Sequence, residues 1–497
     1  MLTRLKVTGF KNLVDVDVHF GPFTCIAGQN GVGKSNLFDA IRFLSALADK
    51  TFLDAAKSVR DEGERSGEPR ALFHKVGDRQ EERMTFEAEM IVPGEGIDDL
   101  GLPAKATSTF LRYTLVLGLR PDHSPSSLGE LELVKEELTY VRPAEVSTRL
   151  LFPAAPEWQA SVIRSNRKTM FISTDGEGDD RKVSLHLDGN IGKKTRRPAR
   201  QLPRTVLSAT IASESPTALL ARREMQSWRL LQLEPSALRK PDRLMATARL
   251  GADGSHLPAT LYRLSKSSPN VCESVAGRLK ELILDVRAVG VDLDEKRELL
   301  SLVATDRAGT TLPARALSDG TLRFLALSVL EKDPEAVGVI CFEEPENGIH
   351  PARVPAMVKL LEDIAVDAQR PISPDNPLRQ VIVNTHSPLV VQEVDQADLL
   401  CADTTELLVG DRVVRNVSFK CMPNTWRLKS ESPPPTITQG AMLALLQPRG
   451  PSRAATPIPA ASSPRGGELN GRLSRVKVRD TLTVRTLFDD VAESVSP

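Results

Sequence analysis

Gly28-Gln29-Asn30-Gly31-Val32-Gly33-Lys34-Ser35 is the stretch on which the reading of this chain turns. An apolar stub, Phe23-Thr24-Cys25-Ile26-Ala27, leads into it, and a helical pattern with apolar Leu37, Ile41, Phe43, Leu44 and Leu47 follows. A glycine-rich loop between a strand and a helix, ending in Lys-Ser, is the pattern of a phosphate-binding loop. Glycines let successive backbone N–H groups turn inward onto phosphate oxygens, and the helix start adds unpaired N–H groups and its positive end. Gly28, Asn30, Gly31 and Gly33 are therefore candidate phosphate positions. Lys34 can reach the β and γ phosphates of a nucleotide, and the Ser35 hydroxyl suits Mg²⁺.

The rest of the chain bounds what such a loop can serve. Its 497 residues suffice for one large domain or a few ordinary ones, and 40% hydrophobic content allows a sizeable core. The 65 basic and 65 acidic residues cancel, so the whole molecule is not committed to nucleic acid, although a local patch can be. The five cysteines are scattered without C-x-x-C pairs, which argues against a metal cluster or disulfide framework and fits a reducing compartment. The start, Met1 to Val7, is too broken by charge for a signal peptide, and no apolar run is long enough to span a bilayer. The expectation is a cytoplasmic protein with no membrane partner.

Alternation predicts two strands in residues 2–20, turning at Phe10-Lys11-Asn12-Leu13, the second half-exposed and near a sheet edge. Residues 59–83 read as a charged, Gly-rich surface loop. Strand patterns at Met84–Val92, Phe110–Gly118, Leu131–Val141, Thr169–Ser173 and Lys182–Leu187 make residues 84–190 an antiparallel-looking β insertion. Residues 216–300 read as a mainly helical lobe, with helical spacing at 216–232 and again from Leu257 to Leu284. Lys193, Lys194, Arg196 and Arg197 belong to a basic strip at 192–204 that contains no acid. The strip reads either as a solvated loop or as a contact to a phosphate backbone. The run Val337 to Phe342 reads as a buried parallel strand and Val381-Ile382-Val383 as another, with a helix Val354–Ile364 between them. From Ser430 prolines and small residues dominate, so residues 430–497 read as a largely disordered tail.

Three further stretches acquire meaning beside the loop: Leu317-Ser318-Asp319-Gly320-Thr321 before a helix, Glu343-Glu344-Pro345-Glu346-Asn347-Gly348-Ile349-His350 after one apolar strand, and Asn384-Thr385-His386-Ser387-Pro388 after the other. In this order, and with Gly9-Phe10-Lys11-Asn12-Leu13 upstream, the chain resembles ABC-type ATPase heads of the SMC, Rad50 and RecF branch. It is most similar to the compact bacterial AAA-family ATPases related to the ATPase half of OLD-family proteins. The resemblance covers roughly residues 1–420 and implies a head domain over 1–425. It implies an α/β P-loop NTPase fold of ABC-ATPase head type, with a mixed central sheet, the β insertion and the helical lobe.

That resemblance implies roles as well as a fold. ATP and Mg²⁺ would be the cofactors, and ATP hydrolysis the reaction. Glu343 would take the Mg²⁺-side acidic place, where relatives often have Asp. Glu344 would orient and deprotonate the attacking water, work that is mostly positioning. His386 would contact the γ phosphate or hold that water. Asn347 and His350 would lie in the D-loop, His350 where many transporter cassettes have Asp. Gln226 and Gln232 are both candidates for the Q-loop glutamine. Ser318 and Gly320 would complete the site of an opposite subunit, so the expected assembly is a homodimer or higher homo-oligomer closed around ATP. The expected function is a dimerising switch acting on DNA or on an effector protein, in DNA repair or anti-phage defence. No acidic cluster after His386 matches the Toprim nuclease of OLD proteins, and no heptads support a long coiled coil. An ATP-loaded interaction scaffold is the competing reading. A transporter ATPase is disfavoured by the Ser-Asp-Gly signature and by the absence of an apolar span.

Overall fold

In the computed structural model of this chain, residues 1–59, 69–77, 79–120, 131–166, 169–188, 194–283, 286–409 and 412–447 are described. The amino-terminal hairpin forms as its alternation predicts, with strands Leu2–Phe10 and Leu13–His19. Leu13–His19 is the terminal strand of an eight-stranded antiparallel sheet, and its alternation puts Val16 and Val18 in the core, where Leu13 also lies. Outward from it the sheet continues through Leu2–Phe10, Arg83–Ile91, Phe110–Leu119, Leu131–Tyr140, Ile172–Asp175, Lys182–His186 and Lys194–Pro198. The β insertion is thus an extension of the amino-terminal hairpin: Leu5, Val7 and Thr8 pair with Ala88, Phe86 and Thr85.

The second sheet has six strands in the order Arg229–Leu231, Gly338–Glu343, Arg379–Thr385, Phe23–Ala27, Leu399–Val409 and Arg412–Cys421. The first five run parallel and the last returns antiparallel. Its three central strands are covered on both faces. They therefore read as continuous apolar runs rather than alternating ones. The helix Lys34–Leu47 packs between the two sheets, sharing one core with Val7 and Phe86 of the first and Ile26, Val339 and Ile382 of the second. Phe10, Phe43 and Phe86 meet there with ring centroids 5.4–5.8 Å apart, Phe10 stacked on Phe43 and Phe86 inclined to both, a favourable aromatic spacing. On the other face, Asp319–Lys332 and Val354–Ile364 cover the six-stranded sheet through Phe324, Leu325 and Val358. The result is the expected class: a mixed α/β fold with a mixed central sheet, an antiparallel sheet and helical lobes.

Local readings shift in four places. The helix at 216–232 ends at Gln226, and Arg229–Leu231 pairs with Ile340–Phe342 instead, because Trp228 is buried at the turn with its Nε1–H on Glu224 at 3.0 Å. The stretch from Leu257 breaks around Pro269 into helices Leu257–Ser267 and Val271–Ile283. A sheet of Val286–Asp294 and Leu299–Asp306 completes this lobe. The basic strip contains a strand, Lys194–Pro198, paired with Lys182–His186, where a loop was the simpler expectation. Lys193 lies outside the described residues. Within the Pro-rich stretch, Gln439–Leu446 is helical, capped by Thr438 and anchored by buried Met442 and Leu446. Residues 448–497 of the expected tail lie outside the described residues.

Candidate nucleotide site

Parallel strands deliver their carboxyl ends to one edge of a sheet, and here that edge gathers the motif residues. The register aligns Thr385 with Ala27, Glu343 with Asn384, and Leu231 with Phe342. Gly28, Gln232, Glu344 and His386 therefore leave neighbouring strands at similar height. At this edge a cleft of about 590 Å³ is lined by Asn30, Gly31, Gly33, Lys34 and Ser35 of the loop and by Gln232, Glu343, Glu344, Asn347 and Asn384, whereas Gly28 and His386 are off the lining and His386 reaches it through Glu344.

Two glycines of the loop are forced by their surroundings. A Cβ at Gly28 would stand 2.5 Å from the Ala402 carbonyl oxygen. Gly33 has φ 107°, and a Cβ there would strike the Asn12 side chain at 2.1 Å. Gly33 starts the helix Lys34–Leu47 with no side-chain cap, so the helix presents its amino end to the cleft. Asn12, from the distant amino-terminal hairpin, braces this loop. Its Nδ2 donates to the Val32 carbonyl at 3.2 Å, and its Oδ1 accepts from Asn36 Nδ2 at 2.8 Å. Lys34 Nζ donates to Gly28 and Gln29 carbonyls at 2.6 and 2.8 Å, folding over the loop it serves. Burial pulls its pKa down, while Glu344 and Glu346 oppose that shift.

Glu344 is held at every point. Its backbone has φ 45°, a left-handed conformation that a non-glycine residue adopts at a cost. Its N–H donates to Asn384, to the carbonyl at 3.0 Å and to Oδ1 at 3.2 Å. One carboxylate oxygen is 2.7 Å from His386 Nδ1, and the other accepts from Asn347 Nδ2 at 2.8 Å. With Glu344 ionised, the His386 proton on Nδ1 points at the carboxylate and leaves Nε2 for another partner. Neighbouring Glu346 is buried against the Thr385 hydroxyl, and burial raises its pKa. Ser35 and Glu343, both on the cleft wall, supply a hydroxyl and a carboxylate, a hard oxygen set that suits Mg²⁺ completed by phosphate oxygens.

The remaining candidates separate by position. Gln232 lines the cleft, whereas Gln226 turns away to the Ala48 carbonyl and Asp49 Oδ1, both at 3.3 Å. Ser318 caps the helix Asp319–Lys332, accepting from Thr321 N–H at 3.2 Å, and remains exposed beside Gly320. His350 is exposed and caps the turn Pro351–Arg353 through Ala352 N–H. Lys194, Arg196 and Arg197 sit on the outer strand of the antiparallel sheet, away from the residues that line the cleft. Sequence motifs missed Asn12 and Asn384 as working groups, and also Glu234 and Arg323, which share the cleft wall. Asn384 had a readable signal, one residue before Thr385 at the end of an apolar strand. Asn12 lies in the Gly9–Leu13 pattern, which carries no local mark of its contact with Val32 and Asn36.

Parts of the chain are similar to known proteins. A family described as "AAA domain, putative AbiEii toxin, Type IV TA system" matches residues 23–141 and 304–392. The DNA replication and repair protein RecF of Phocaeicola vulgatus is 38% identical over 65 residues, 13% of this chain and 18% of that protein. RecF of Paenarthrobacter aurescens is 33% identical over 90 residues, covering 18% of this chain and 21% of that protein. The chain therefore matches only about a fifth of the length of these curated relatives. Among solved structures, an SMC head bound to the C-winged helix domain of ScpA aligns over 84% of this chain and 98% of its own, with TM-score 0.45 and 15% identity. The SMC head domain from Thermotoga maritima aligns over 84% and 97%, with TM-score 0.35 and 13% identity. The loop and cleft are those of a P-loop nucleotide-binding fold, and parts of the sequence are similar to that AAA-domain family and to RecF proteins.

Proposed function

We propose that this chain hydrolyses ATP with Mg²⁺ and that two copies close around the nucleotide as a switch. The observation that carries the reading is Glu344, fixed between His386 Nδ1 and Asn347 Nδ2 beside the phosphate-binding loop. A carboxylate held in this way can align a water and accept its proton, with the His386–Asn347 clamp setting its direction. Lys34 and the loop amides hold the phosphates. Mg²⁺ on Ser35 and Glu343 would neutralise charge on the β and γ oxygens. Ser318 stands exposed at a helix start with half-buried Gly320 beside it, where both would meet the nucleotide of a second copy. Gln232 is the better placed Q-loop residue. The OLD-type resemblance supports anti-phage defence as a setting, and the likeness to RecF, a DNA replication and repair protein, supports one on DNA. The partner would be DNA or an effector protein, in the cytoplasm.

The test is turnover and solution size of wild type and Glu344→Gln, with and without DNA. Wild type should hydrolyse ATP. The variant should bind ATP, lose turnover by about a hundredfold or more, and accumulate as a dimer. Equal slow turnover and equal dimerisation of the two proteins would replace the enzyme with an ATP-loaded scaffold.

A further inference from the structure

Arg323 lies in the second turn of the helix that Ser318 caps, yet it lines the nucleotide cleft of its own chain. It is half-buried, and among the described residues its Nε has no hydrogen-bond partner. Burial lowers its pKa, and the carboxylates that oppose this are Glu234, across the cleft wall, and Asp319, one turn back. Such a guanidinium is costly to keep unless something with negative charge meets it.

The cleft's charges indicate what that partner is. Its lining includes three carboxylates, on Glu234, Glu343 and Glu344, and two cations, Lys34 and Arg323. Lys34 already donates to two loop carbonyls. Arg323 also has a definite place along the cleft. Its Nε would be 3.9 Å from a Cβ on Gly348, next to Asn347, whose amide holds Glu344. That is the end where the attacking water would be aligned, and so the end that receives the terminal phosphate.

We propose that Arg323 contacts the γ phosphate of ATP bound in its own chain, making the cleft select ATP over ADP. The inference rests on the ATPase reading above but adds a group in cis from a helix otherwise assigned to the opposite subunit's site. Glu234 is the resident counter-charge that the phosphate displaces. A planar, forked donor suits a phosphate better than a point charge does, so lysine should substitute only in part.

The experiment is calorimetric binding of ATP and ADP to the full chain in the Glu344→Gln background, which keeps ATP intact. Adding Arg323→Met should weaken ATP about tenfold or more and ADP by less than about threefold, with Arg323→Lys between. Adding Glu234→Gln instead should tighten ATP more than ADP, and this second variant decides the matter if Arg323→Met fails to melt cooperatively. Equal changes for the two nucleotides, or no change, overturn the proposal. If Glu344→Gln alone binds no ATP, it is the ATPase reading that falls.

Discussion

The carboxyl edge of the six-stranded sheet and the outer edge of the eight-stranded sheet both carry charged residues that stand out in the sequence, yet only the first gathers them into a site. At the cleft, residues hundreds of positions apart converge because parallel strands bring their carboxyl ends to one edge: Glu343 pairs with Asn384, and Gly28 and Gln232 follow the ends of the strands beside them. At the outer edge, residues adjacent in sequence diverge. Lys194–Pro198 is a strand, so Lys194 and Arg196 face one way while Arg197 faces the other. Closeness in sequence is weak evidence for a shared surface, and shared strand-end position is strong evidence for a shared site.

The contrast extends to titration. Glu136 is a buried acid of the eight-stranded sheet, accepting from Val206 and Leu207 N–H groups at 2.7 and 2.8 Å and from the Tyr113 hydroxyl at 3.2 Å. Burial pushes its pKa up from 4.5 to about 7 despite those donors. The folded state therefore keeps a proton that the unfolded chain releases. Stability present at acid pH should be lost as pH rises from about 4.5 through 7, by about 3 kcal/mol from this group alone. Glu136→Gln should flatten that slope in denaturant melts between pH 5 and 7.5, with ATP affinity unchanged. A slope that survives the substitution would mean the sheet's pH response comes from elsewhere.

Asn12 joins the eight-stranded sheet, at the end opposite its basic edge, to the phosphate loop, and so it tests whether that sheet shapes the cleft. It belongs to the antiparallel hairpin, but its amide bonds Val32 and Asn36 at the loop and helix start. Asn12→Ala should weaken ATP binding about tenfold with little change in melting temperature. If instead melting falls and affinity holds, Asn12 ties sheets together and does not shape the loop.

What could be read from the sequence follows the same physics. The phosphate loop, the two carboxylates and His386 stand out in the sequence because each follows an apolar strand run, and the fold places them at neighbouring strand ends. The strands of the insertion were legible by period, but their joining with Leu2–Phe10 into one sheet was not, since register across 80 residues leaves no local mark. Gln226 and Gln232 could not be separated by composition. The turn at Ser227-Trp228 separates them, and it depends on Glu224 holding the Trp228 indole. Arg323 was hidden by its motif: a residue inside a stretch assigned to the opposite subunit was not expected on the wall of its own cleft.

The smallest expected effect sharpens the comparison at its weaker side. If DNA meets the outer edge, Arg196 is the residue to meet it, being exposed, whereas Arg197 is half-buried and lends its charge to Glu136. Arg196→Glu should weaken association with a labelled duplex a few-fold at low salt and reduce the salt dependence, followed by fluorescence anisotropy across a salt series. Arg197→Glu should leave the salt dependence near wild type and lower stability instead, because a carboxylate there would oppose Glu136. Equal losses of binding would mean that the two arginines act as one strip across the strand edge, which alternation forbids unless the strand opens. No loss from either would remove this edge from the case for DNA, while leaving the nucleotide cleft untouched.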